Sequence, residues 1–133
     1  MPIKGATLAV GGTISVTGGT AKTFTDMGET IKNGVKVADL SQTDARIRTT
    51  ITAINRPAIT DRNGKFISKD RRSTKTVMPK ILADGSIAYN FVESVSSIHP
   101  ETTDAERAQL LGIDAQLKFD PDLTNFQLYG SVS

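Results

Sequence analysis

The sequence contains no cysteine. That excludes a disulfide framework, thiol catalysis and any Cys-ligated metal site. A chain without disulfides suits a reducing compartment such as a bacterial cytoplasm. Tryptophan is also absent, and aromatic residues make up only 5% of the chain. No segment approaches the roughly 20 apolar residues of a membrane span. Met1–Val10 has one lysine and no long apolar run, so it does not read as a signal peptide. Apolar residues reach 38% without the eleven glycines, a modest share beside a typical globular domain, whose roughly 45–50% includes Gly. The length of 133 residues fits one domain. A modest apolar content fits a protein that completes its core with a partner chain.

Catalytic constellations are missing too. The one histidine, His99, stands before Pro100 and reads as a turn residue, with no acid–nucleophile pair beside it in sequence. No spacing of His, Asp and Glu resembles a metal site. The Gly pairs lack the Gly-x-x-x-x-Gly-Lys-Ser/Thr order of a phosphate loop. Asp120 and Asp122 suit a helix start. The expectation is a protein that is not an enzyme, with no cofactor, no metal and no small-molecule substrate.

What is present is an uneven charge. The net charge is only +2, yet residues 46–80 hold ten basic and two acidic side chains, and residues 81–133 hold two basic and eight acidic. A basic middle suits a polyanion partner on one face, or a solvated basic loop.

The turn signals define many short strands. Ala6–Val10 and Thr13–Thr17 flank Gly11–Gly12, a hairpin signal. Asn33–Gly34 lies between Thr30–Lys32 and Val35–Ala38. From Ala45 to Ile54 the residues alternate: Ile47, Thr49, Ile51 and Ala53 on one face, Arg46, Arg48, Thr50 and Thr52 on the other. Arg56–Pro57 ends that strand, and residues 57–72 read as a basic, turn-rich connection. A strand from about Arg72 to Leu82 reverses at Asp84–Gly85 and returns from Ser86 to Ile98. A two-residue loop would set Met78 opposite Phe91 and Lys75 opposite Ser94. Tyr89 and Phe91 would then share the core face with Met78, and Asn90 and Val92 would lie beside Ser73 and Lys75.

Helical chemistry follows. Thr103 and Glu106 form a capping box, and Ala108, Leu111 and Ala115, with Leu110 and Leu117, make an apolar stripe. Asp120–Pro121 stops this helix, and a second runs from Pro121 to about Leu128 with Leu123, Phe126 and Leu128. The class is α+β: an N-terminal β-hairpin (1–20), an antiparallel meander sheet (30–98) and two C-terminal helices (103–128).

The polar sheet face is the candidate site. Arg46, Arg48, Thr50, Thr52, Ser73 and Lys75 offer cations and hydroxyls to phosphates and base edges. Stacking of bases needs flat groups, and Tyr89 is the best-placed aromatic.

Three stretches resemble the coat proteins of the single-stranded RNA bacteriophages. They are the strand Arg46–Ile54 with its basic turn, Lys75-Thr-Val-Met-Pro-Lys80, and Thr103-Asp-Ala-Glu-Arg-Ala108. The order and size of the elements match over nearly the whole chain. The resemblance implies a structural capsid protein whose two chains interlock as a homodimer, with helices crossing the partner through Ala108, Leu111, Leu117 and Phe126. Dimers would assemble into an icosahedral shell around single-stranded viral RNA, in the cytoplasm of a bacterial host, without a membrane. It also implies repression of translation through an RNA hairpin held by Thr50, Thr52, Ser73, Lys75, Tyr89 and Asn90. Phe91 stands where relatives carry Asn or Asp, and the Asp84–Gly85 loop is short. The competing expectation is a small monomeric module that binds RNA on its sheet face without forming shells.

Overall fold

A computed structural model describes residues 7–119 and 123–130. The chain divides into two compact units. Gly19–Pro100 carries the sheet, and residues 7–18, 101–119 and 123–130 belong to the helical unit.

The sheet is a five-stranded antiparallel meander in the order of the chain: β1 (Phe24–Asp26), β2 (Gly34–Asp39), β3 (Thr50–Arg56), β4 (Asp70–Ile81) and β5 (Ile87–Ile98). β-Branched and aromatic residues populate these strands as a pleated surface favours. The sheet begins at β1, earlier than the expected residue 30. The turn at Asn33–Gly34 is present, with Gly34 N–H donating to the Ile31 carbonyl at 3.2 Å. Its upstream arm pairs only through Ile31, and the partner of β2 on that side is β1. Pro79 lies past the last β3–β4 pair, Thr50–Val77, where one side of β4 is open and a missing N–H is tolerated.

The β4–β5 register differs by one residue from the sequence expectation. Leu82 N–H donates to Ser86 O at 2.8 Å and Gly85 N–H to Leu82 O at 3.0 Å, with Gly85 at φ 86°. Ala83–Gly85 is therefore a three-residue hairpin loop with a left-handed third residue, not a two-residue turn. Val77 lies opposite Phe91, Lys75 opposite Glu93 and Met78 opposite Asn90. Because strand side chains alternate, one step of register moves all of β5 to the other face relative to β4.

The long strand expected from Ala45 begins later. Ala45–Ile47 is a single 3-10 turn with Asp44 as its cap. The Asp44 carboxylate accepts from the Arg46 amide at 3.0 Å, a local bond that competes with strand pairing.

In the helical unit, α1 (Asp104–Phe119) starts at the predicted capping box. Glu106 N–H donates to Thr103 Oγ1 at 3.2 Å, and Thr103 Oγ1–H donates to Glu106 Oε1 at 2.8 Å. A short α2 (Thr124–Tyr129) follows. The expected boundary at Asp120–Pro121 and the Pro121 start lie outside the described residues.

Of the N-terminal hairpin expected over residues 1–20, residues 1–6 lie outside the described residues. A turn closes at Gly12 N–H to Ala9 O, 3.2 Å, but residues 7–20 form no strand. Ala9 is held instead by the Gln116 carboxamide, which accepts from Ala9 N–H at 2.8 Å and donates to Ala9 O at 2.7 Å. Residues 9–20 are exposed, so a two-stranded ribbon there would bury too little apolar surface to stand alone.

Candidate nucleic-acid interface

The strand pairings fix which side chains share a face. One face collects Lys36 from β2, Thr50, Thr52, Ile54 and Arg56 from β3, Arg71, Ser73, Lys75 and Val77 from β4, and Tyr89, Phe91, Glu93 and Val95 from β5. It carries four cations, Lys36, Arg56, Arg71 and Lys75, against the one carboxylate of Glu93. The opposite face carries Asp26, Asp39 and Asp70 against Arg72 and Lys80. The sheet is electrically two-sided, and the side with Thr50, Thr52, Ser73 and Lys75 is the positive one.

Its centre is built by three adjacent strands. Thr52 lies between Lys36 and Lys75, and Lys75 lies between Thr52 and Glu93. Thr50, Thr52 and Ser73 are half-buried, whereas Lys75 is exposed. The Lys75 ammonium sits 4.4 Å from the centre of the Phe91 ring, a cation–π arrangement. Tyr89 and Phe91 are two residues apart on β5, 64% and 57% exposed. They offer two flat groups on the face that holds the cations and hydroxyls.

At the end of the β3–β4 ladder, Arg56 lies directly opposite Arg71. Both are exposed. Like charges in direct cross-strand register repel. Beside them, an open depression of about 430 Å³ is lined by Ile31, Lys32, Asn33, Ile54, Arg56 and Pro57.

Of the residues expected from sequence, Thr50, Thr52, Ser73, Lys75 and Tyr89 are brought together. Asn90 is not: it lies opposite Met78 and points to the other face. Arg46 and Arg48 precede β3 and do not extend its face. Arg46 turns back onto Asp44, with Nε at 3.1 Å and Nη2 at 2.9 Å. That pairing holds the Asp44 carboxyl below the usual carboxylate range and pushes the Arg46 guanidinium up. Arg48 Nε donates to Gln42 O at 2.8 Å. Phe91, Arg56, Arg71 and Lys36 join the face unforeseen. The Ala83–Gly85 loop type was the available signal for Phe91, since it sets the β5 register.

The apolar helical residues are uncovered. No residue of α1 is buried, and Leu111, Leu117 and Phe126 are exposed, as is Ala108. Among the described residues of this unit Leu123, 2% exposed, is the exception. On the negative sheet face Met78 and Val92 are also exposed. Strand β5, twelve residues long, is an open edge. Among the described residues no helix is long and apolar enough to cross a membrane, and no group of acids and histidine is placed to hold a metal.

No protein-family profile and no curated protein matches this chain. Several chains of solved structures are similar, two of them as follows. The virus-like particle of bacteriophage GQ-907 has a chain 32% identical, with a TM-score of 0.91, covering 98% of this chain and 99% of that one. The virus-like particle of Beihai levi-like virus 21 is 13% identical with a TM-score of 0.60, covering 89% of this chain and 93% of that one. This second likeness is one of fold alone.

Proposed function

The chain belongs to the levivirus-like coat proteins of single-stranded RNA bacteriophages, and from that premise we propose that it works as an interlocked dimer whose positive sheet face binds the viral RNA inside the shell. Its role is structural: a capsid subunit of the virion, carried here by one coat-protein domain.

The observation that carries RNA binding is the opposed pair Arg56–Arg71 on the face that also bears Lys75. Two exposed guanidinium groups in direct register destabilise a sheet in water. A phosphate between them turns that repulsion into two charge-assisted hydrogen-bond donors. The hydroxyls of Thr50, Thr52 and Ser73 add neutral donors beside Lys75, and Tyr89 supplies a stacking surface for an unpaired base. This arrangement suits an RNA hairpin loop, and with it repression of the message that carries the hairpin.

Dimerisation is supported by what a single chain leaves open. An unpaired twelve-residue edge at β5 invites another strand. The exposed stripe of Ala108, Leu111, Leu117 and Phe126 needs an apolar partner, and Met78 and Val92 on the negative face of a second chain offer one. A monomeric module would leave all of these surfaces in water. Assembly in the host cytoplasm, with RNA and further copies as the partners, follows from the same reading.

The test is Arg71→Ala. It is expected to raise the melting temperature of RNA-free subunits, by relieving a repulsion of about 0.2–1 kcal/mol, and to lower the RNA content of shells. A variant that lowers stability and leaves RNA content unchanged would refute the face assignment.

A further inference from the structure

The connection between β3 and β4 is an ordered ribbon, not a slack loop. Ala58 N–H donates to Asp70 Oδ1 at 2.9 Å, Ile59 N–H to Ser68 Oγ at 2.8 Å, and Ile67 N–H to Ile59 O at 2.9 Å. Thr60 and Phe66 form a β-bridge, and Asp61 N–H donates to Lys65 O at 2.8 Å. The tip is closed by Asp61, whose Oδ1 accepts from the amides of Asn63 and Lys65, each at 2.9 Å. On one side of the ribbon Phe66 meets the His99 ring edge-on, 5.5 Å between centres. Alternation along the ribbon puts Ile59 and Ile67, directly opposite each other, on the other side. They are 61% and 66% exposed. Arg62 and Lys65 flank them at the tip, also exposed.

We propose that this ribbon is a contact between copies of the chain in the shell, with Ile59–Ile67 as an apolar knob and Arg62 and Lys65 as its charged rim. The occupant is the acidic C-terminal part of a neighbouring copy. Residues 101–133 hold six acidic side chains against Arg107 and Lys118, and α1 exposes Leu110 one turn from the exposed Glu106. Phosphate binding would account for Arg62 and Lys65 but leaves the isoleucine pair in water. An apolar and acidic protein surface accounts for both. The ordered tip costs little further entropy on docking, because its backbone is already fixed by hydrogen bonds.

This inference rests on the reading of the chain as a self-assembling coat protein, and wild-type particles establish that reading separately. The test compares wild type with Ile59→Ser/Ile67→Ser and with Arg62→Glu/Lys65→Glu, using sizing chromatography, electron microscopy and RNA content. The expected result is that wild type forms shells and both variants stay as soluble subunits with the wild-type circular dichroism spectrum. The charge variant leaves the apolar pair intact, so it isolates the rim if the apolar variant folds poorly. Shells of normal yield from the charge variant would overturn the proposal. Shells of normal yield with less RNA would also overturn it, and would assign the ribbon to the nucleic acid.

Discussion

Lys75 and Phe91 are coupled across the β4–β5 ladder: the ammonium lies 4.4 Å from the ring centre, although Glu93 is the residue directly opposite Lys75. Among the described residues Lys75 and Glu93 form no ion pair. The ring therefore fixes the position of the main cation at the centre of the face. Phe91→Leu is expected to weaken RNA binding about two- to fivefold, the value of an exposed cation–π contact. In a Lys75→Ala background it should do nothing more. Lys75→Ala alone should reduce the salt slope of binding by about one. An undiminished effect of Phe91→Leu without Lys75 would mean that the ring meets the RNA itself.

Tyr89 and Asn90 are neighbours on β5 that point to opposite faces. Tyr89→Ala is expected to cost about 1–3 kcal/mol of RNA affinity, as loss of a stacked base does. Asn90→Ala should leave affinity within a factor of two or so, as for a residue outside the contact surface. Equilibrium binding of a hairpin to both variants checks this, and the reverse order would place the two-residue turn register back in contention.

Three carboxylates are held below their ordinary value in the folded chain. Asp44 is held below its ordinary value by hydrogen bonds from Arg46. Asp84 is lowered by the Ser86 hydroxyl and amide. Asp39 is lowered first by the Ser41 hydroxyl, with Lys22 also acting and burial opposing. Each binds a proton less readily in the folded chain than in the unfolded one. Their stabilisation is complete above the unfolded value of 3.8 and is lost as pH falls through the lowered folded values. The melting temperature should fall below about pH 4, and Asp84→Asn should make that fall shallower. An unchanged slope would contradict it.

Gly34 is required by close approach rather than by its dihedral angles. A Cβ there would meet the Ala53 carbonyl oxygen at 2.6 Å, at the first β2–β3 pair. Gly34→Ala is expected to destabilise the subunit by about 1–3 kcal/mol, an overpacking cost, read as a lower denaturation midpoint. No shift would mean that the β2–β3 spacing is wider than described.

Much of this fold was legible because its signals are local. The capping box at Thr103 and Glu106 binds within one turn, and the reversal at Asp84–Gly85 needs only a left-handed glycine. The errors arose where local and long-range preferences compete. Alternation from Ala45 to Ile54 fitted a strand, yet the Asp44 carboxylate captures Arg46 and turns the chain. Glycines 11 and 12 turn the chain, but the described residues on either side form no strand and residues 9–20 stay exposed. Phe24–Asp26 is too short to announce itself and pairs only because β2 is there. The site was partly legible for the same reason. Thr50, Thr52, Ser73 and Lys75 follow from alternation within β3 and β4, whereas the placing of Tyr89, Phe91 and Asn90 depends on whether one loop has two residues or three. The cross-strand pair Arg56–Arg71 could be seen only once the register was known.

The most direct test is expression of the whole chain in bacteria, sizing chromatography, and electron microscopy of the leading peak with its ultraviolet spectrum. With no tryptophan and two tyrosines, the protein absorbs weakly near 280 nm, so packaged RNA dominates any particle that contains it. The account predicts uniform shells with a nucleic-acid spectrum that survives nuclease treatment. A soluble monomer without particles, or shells empty of RNA, would contradict it.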